Sequence, residues 1–240
     1  MPGDRPEKGY RSDYFWSTAI AVLTTIAVLV YPMIDETGPA ESPWLREDNI
    51  IENAQAVMFL IGALGILIAG LRSEVIREGG AKWRYWGIAF WFLLLFVFAG
   101  EEISWGQRII GWQTPDWPFF ADNVQDQTNL HNHELLQQTK GTLIKRFMII
   151  FGMVMPIAAV LPLFKGLMRY FAIPVLQLHY VSVFVGAYLV YANLVYSREE
   201  FGWGPIEYAE TFFAFGLMMF GVHGAIIRDS IFGIDRDGDA

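Results

Sequence analysis

The segment Gly100-Glu101-Glu102-Ile103-Ser104-Trp105-Gly106-Gln107-Arg108 places two adjacent carboxylates directly after an uninterrupted apolar run, Ile88 to Ala99. Neighbouring helical residues point about 100° apart, so one of the pair can face a helical bundle while the other faces water or Arg108. Glu101 shares a face with Ser104 and Trp105, and Glu102 shares one with Gly106. A carboxylate in such a place is a metal ligand, a general acid or base, or one half of a Glu–Arg pair at a solvated helix end. Downstream, Asn129-Leu130-His131-Asn132-His133-Glu134-Leu135-Leu136 adds two imidazoles. The spacing of Leu130, Leu135 and Leu136 predicts a short helix here. On it His131 and Glu134 share one face, and Asn129 and His133 another. One helix cannot easily aim both histidines at one ion, so His131 is the first ligand candidate and His133 the second.

More carboxylates are expected at the same level. Glu52 lies just inside the apolar run that opens at Asp48-Asn49, and Glu207 and Glu210, with Thr211 beside them, open another. Tyr188, Tyr191, Asn193 and Tyr196 can donate hydrogen bonds there. Carboxylates gathered at low dielectric repel and need a proton, an arginine or a metal ion. Histidine and carboxylate ligands without cysteine suit a divalent metal such as zinc, iron or manganese. The expected site has Glu102, His131 and Glu210 as metal ligands and His133 as a further candidate. Glu101 or Glu52 serves as general base, and Arg108 steadies an anionic headgroup. That chemistry is metal-dependent hydrolysis or group transfer on a lipid-like substrate. No H-E-x-x-H spacing is present. The rival expectations are a non-enzymatic subunit or scaffold docking a periplasmic or membrane partner through its acidic face, and a transporter. The sequence shows no midplane charge and no paired broken helices of the kind transport sites use.

The elements that must position these residues are membrane helices. Hydrophobic residues make up 54% of the 240 and charged residues 18%, against about 45–50% and about 25% in soluble domains. The charges cluster between six apolar runs, about 14–34, 50–71, 83–100, 143–164, 171–196 and 206–227, each near the roughly 20 residues that cross a bilayer. The fold expected is all-α: one integral membrane bundle of six transmembrane helices over residues 1–240, with an ordered outer loop, 101–142, containing a short surface helix. The stretch 111–121, with its tryptophans and prolines, is expected to lie on the bilayer surface. The first run is too long for a signal-peptide core and lacks an A-x-A-like cleavage site, so it reads as a retained helix. Pro156 and Pro162 predict a kink or an early stop in the fourth run.

Most of the 17 basic residues fall on one side of this arrangement, with the clearest signal in the short 72–82 and 165–170 loops. Orientation then puts both termini in the cytoplasm and the 101–142 loop outside. Trp16, Trp83, Trp86, Trp105, Trp112 and Trp203 fall near helix ends, as an interfacial belt does. A net charge of -8 argues against a nucleic-acid partner. The absence of cysteine excludes disulfides, thiolate zinc sites, iron–sulfur clusters and catalytic thiols. His179 and His223, toward the inner ends of their helices, read as packing histidines.

The stretches Gly100 to Arg108 and Asn129 to Asn132 resemble those of uncharacterised bacterial integral membrane proteins that pair G-E-E-I-S-W-G-Q-R with a downstream N-L-H-N. The resemblance is most specific in the middle third and implies an inner-membrane protein, with no activity to carry over. Glu52-Asn53 and Ser104 are also similar to polar positions of the membrane hydrolases that include alkaline ceramidases and adiponectin receptors, which use a membrane-embedded zinc site of His, Ser and Asp. This chain departs from them in its six expected helices rather than seven and in lacking an H-x-x-x-H pair.

Overall fold

A computed structural model describes residues 15–16, 18–27, 30, 50–78, 82–117, 123, 127–130, 133–192, 204–227 and 229–232. Among these the chain is helical, with one isolated β-bridge, Asn123 to His133. The helices are α1 (Thr18–Ala27), α2 (Ile50–Arg72), α3 (Trp86–Glu102), α4 (Glu134–Phe147), α5 (Pro162–Phe171), α6 (Val181–Tyr191) and α7 (Gly204–Ile226). Four stretches are long and apolar enough to cross a membrane: Ile50–Arg72, Lys82–Glu102, Thr139–Ala158 and Ile206–Ile226. Large apolar side chains are exposed along them, including Leu60, Leu64, Phe90, Leu93, Val154 and Ile157. So much outward apolar surface is tolerated in lipid and not in water.

The first and fifth apolar runs form shorter helices among the described residues, Thr18–Ala27 and Leu178–Tyr191. At 1.5 Å per residue the latter is about 21 Å long, below the roughly 30 Å hydrocarbon thickness. The expected helix over 171–196 is interrupted near its start. Ala172 turns left-handed after α5, and residues 173–177 are non-helical. Three contacts make that break tolerable. Val175 N–H donates to the Ile231 carbonyl at 2.7 Å, and the Trp91 indole donates to the Pro174 carbonyl at 3.2 Å. The Arg84 guanidinium donates to the carbonyls of Val75, Arg169 and Tyr170, so one cation collects the end of α5 and the 72–84 connection.

Pro156 is absorbed without ending its helix. The ladder widens to π geometry over Met148–Val154 and returns to α over Met155–Ala158. A proline has no N–H for the carbonyl a turn earlier, and a π-bulge is one way to accommodate that mismatch. Pro162 instead starts α5 after the turn at 159–161.

The core is aromatic. Phe59, Phe98, Phe147 and Phe213 meet edge to face or tilted, with centroids 5.3 Å apart for Phe59–Phe98 and 5.5 Å for Phe147–Phe213. Trp91 packs on Phe220 at 5.1 Å. The closest helix pair is α2 and α7, which cross backbone to backbone: a Cβ on Gly221 would collide with the backbone of Gly62, and one on Gly65 with Gly221. In lipid, where apolar side chains gain little by leaving solvent, such close approach is a main source of association. Gln55, fully buried on α2, donates to the Thr211 hydroxyl of α7 at 2.9 Å across the same interface. Tyr208 fastens α1 by donating to the Ala27 carbonyl. Gly221→Leu is therefore expected to lower stability by about 1–3 kcal/mol or more, read as a fall in Tm of the detergent-purified protein. An unchanged Tm would mean the two backbones do not meet there.

Candidate functional site

Helix α3 stops in an unusual way. Ser104, Trp105 and Gly106 take φ values of 48°, 54° and 84°, three left-handed residues in succession. Only glycine does this without cost, and the two others are held by their surroundings. Glu101, nearly buried, accepts the Trp105 indole N–H on Oε1 at 2.8 Å and the Leu130 backbone N–H on Oε2 at 2.6 Å. Ser104, fully buried, donates to Gln127 Oε1 at 2.8 Å and accepts from the Asn129 amide at 3.0 Å. Gln107 Oε1 accepts the backbone N–H and the hydroxyl of Thr128, both at 2.6 Å, while its amide donates to the Thr114 hydroxyl. Asn123 donates to the Asn129 carbonyl at 2.8 Å and forms the bridge with buried His133.

The two halves of the sequence signature are therefore each other's partners. Gly100-to-Gln107 and Asn129-Leu130 close the 104–130 loop onto the end of α3. The helix expected from Leu130 begins instead at Glu134, because residues 127–130 give their hydrogen-bonding groups to α3's turn. His133 consequently lies in the bridge, and its backbone N–H returns to the Leu130 carbonyl. Of the surface stretch, residues 111–117 are described and non-helical, with Trp112 and Trp117 exposed.

Beneath this loop lies a cavity of about 350 Å³ lined by Phe59, Phe98, Leu130, Leu136, Leu143, Phe147 and Phe213, with Glu101, Glu102, Lys140 and Glu210 as its polar residues. Three spans supply the charged groups: Glu102 ends α3, Lys140 lies in the second turn of α4, and Glu210 is the seventh residue of α7. Lys140 Nζ stands 3.6 Å from Glu210 Oε1. Glu210 also interacts with the Tyr191 hydroxyl. Glu102 feels the charges of Glu210, Lys140, Glu207 and Glu52.

The structure thus brings Glu101, Glu102 and Glu210 to one cavity and leaves Glu52 at its electrostatic margin. His131 and the side chains of Arg108 and Glu134 lie outside the described residues, as do Asn193, Tyr196 and Arg198. Among the described residues no three His, Asp or Glu groups converge as a metal site would require. The sequence reading missed Lys140. Its signal was available: a lysine ahead of Lys145 and Arg146, at the head of an apolar span and in register with the carboxylates. At the opposite end of the bundle His179 and His223 come together, ring centroids 5.6 Å apart, with Tyr180 between the two helices.

No family model, no curated protein and no solved structure matches the chain. What the site does must therefore be argued from its own geometry. The hydrogen-bonded turn makes one testable demand. Asn129→Ala removes the donor shared by Ser104 and Gln127, and should destabilise the loop by about 1–3 kcal/mol. Amide exchange across 104–130 should quicken while that of α2 and α7 stays slow. Equal exchange in variant and wild type would show that the network does not hold the loop.

Proposed function

We propose that this chain is a six-span membrane enzyme that binds a lipid-like amphiphile under the 104–130 loop and hydrolyses it or transfers a group from it by acid–base chemistry. The single observation that carries the reading is the cavity itself, apolar over most of its wall and ended by one lysine and three glutamates drawn from three helices. Ligand pockets commonly measure about 300–1,000 Å³, apolar with a few convergent polar groups, and this one is at the small end of that range. Exposed Leu130 and Leu143 stand in its wall, which favours entry of a hydrocarbon chain from the bilayer.

In this scheme Glu102 and Glu210 relay the proton between an attacking hydroxyl and the leaving group, and Lys140 steadies negative charge that develops on the substrate. Glu101 moves from general base to positioning residue, because both of its oxygens accept donors from the chain. Glu52 tunes Glu102 from a distance. A metal-assisted version would draw on Glu102, Glu210, His131 and His133. The acid–base version is favoured because Lys140 already brings a cation to the carboxylates. The tightly bonded loop also suits a scaffold, and a partner copurifying in stoichiometric amount without lipid turnover would favour that reading.

The test is turnover. Protein in nanodiscs of labelled bacterial lipids should generate a cleaved or transferred product. Glu102→Gln and Glu210→Gln should slow it by about 10²–10⁴, while Leu143→Trp should raise KM. Wild type that turns over no lipid, with its cavity occupied by copurified lipid, would overturn the enzyme reading.

The basic residues of 72–82 and 165–170 support an orientation with the loop outside and both termini in the cytoplasm, and the resemblance supports a bacterial inner membrane. The chain has no cysteine, so single-cysteine variants report cleanly. Trp112→Cys should react with an impermeant maleimide on intact cells, and Arg77→Cys only after permeabilisation. The reverse pattern would invert the topology.

A further inference from the structure

Glu210 is 7% exposed, lines the cavity, and its Oε1 has no hydrogen-bond donor among the described residues. Lys140 Nζ, at 3.6 Å, attracts it but is beyond hydrogen-bond distance. A buried carboxylate oxygen left without a donor costs more than an ordinary missing bond, because the group is charged and desolvated. The same cavity end holds Glu102, and Glu52 and Glu207 lie within electrostatic reach, against one lysine among the described residues. Among the described residues, then, one Glu210 oxygen is left without a donor, and the carboxylates outnumber the single lysine in the cavity.

We propose that the amphiphile bound here carries a protonated amine at its head, with that ammonium group donating to Glu210 Oε1 beside Glu102 and its hydrocarbon chain lying along Leu143, Phe147 and Phe213. The inference rests on the lipid-pocket reading above and names its headgroup. An ammonium offers three donors and one positive charge, which suit the open Glu210 oxygen and the excess of carboxylates over lysine. A carboxylate head would meet like charge. An alcohol would supply the donor without the charge. A bare metal ion would leave the apolar wall unused, and the described residues offer it no group of three ligands. Two sources share this chemistry, an ethanolamine-bearing lipid and a free long-chain amine. In the first, the phosphate beside the ammonium has Lys140 as its counter-ion.

Native mass spectrometry of the delipidated full chain tests it with dodecylamine, dodecanol and dodecanoate, and with lyso-phosphatidylethanolamine against lyso-phosphatidylglycerol. Dodecylamine should bind at least tenfold more tightly than the alcohol or the carboxylate. Glu210→Gln should lower amine affinity about tenfold while leaving the alcohol's unchanged, and Leu143→Trp should weaken all three. If the ethanolamine lipid also outcompetes the glycerol lipid tenfold, the source is the lipid head; if only dodecylamine is preferred, it is a free amine. Equal binding of amine and alcohol overturns the headgroup and leaves the pocket standing. Failure of every amphiphile to bind overturns the pocket reading as well. Zinc binding that Glu210→Gln abolishes, without amine binding, replaces the ammonium by a metal.

Discussion

The carboxylate of Glu101 is bonded on both oxygens, and what lies on that face of the bundle depends on those two bonds. One holds the Trp105 indole, which keeps the chain in its left-handed turn after α3. The other holds the backbone of Leu130, some thirty residues further on, and so brings the far end of the loop back over the bundle. With Leu130 in place the cavity has its cover, and α4 starts where Lys140 falls level with Glu102 and Glu210. Charge-assisted hydrogen bonds of this kind are stronger than neutral ones, and more so out of water. They are set against the strain of two non-glycine residues at positive φ.

The helices beneath solve a different problem. In lipid a bundle gains little from moving apolar side chains off its surface, so it relies on close packing and a few buried polar contacts. The Gly62–Gly65–Gly221 approach and the Gln55–Thr211 hydrogen bond supply these between α2 and α7. That pair then offers a firm wall, Phe59 and Phe213, on which α3 and the π-widened helix after α4 stack their own aromatics. The π segment keeps Phe147 and Phe151 turned toward Trp91 despite Pro156. At the opposite face Arg84 and the Val175–Ile231 hydrogen bond close the break before α6.

The carboxylates are the meeting point of these two constructions. The loop is built from polar side chains that satisfy one another, whereas the cavity's charged end is satisfied only in part. Lysine beside two or more glutamates at the edge of hydrocarbon is a costly arrangement for mere packing, since apolar residues of similar volume often do as well. Neighbouring residues of one helix thus serve the two: Glu101 holds the latch, and Glu102 lines the cavity beside Glu210.

Much was already decided by composition and order along the chain. Long apolar runs separated by charge determine a helical membrane protein, because a backbone in lipid must bond within its own segment. The same reading found Glu101, Glu102 and Glu210, since a carboxylate inside an apolar run stands out against its surroundings. Tertiary structure alone decided the rest. Spacing puts Glu101 and Glu102 on different helix faces, but only the position of Leu130 gives one of them to the loop. The helix expected from Leu130 was pre-empted by long-range bonds to Ser104 and Glu101, which local spacing does not encode. The fifth run looked continuous because hydropathy does not register where a strand of backbone can find partners in Trp91 and Ile231. Lys140 was plain in the sequence, but its meaning lay in a distance of 3.6 Å across two helices, and spacing along a chain carries no information of that kind.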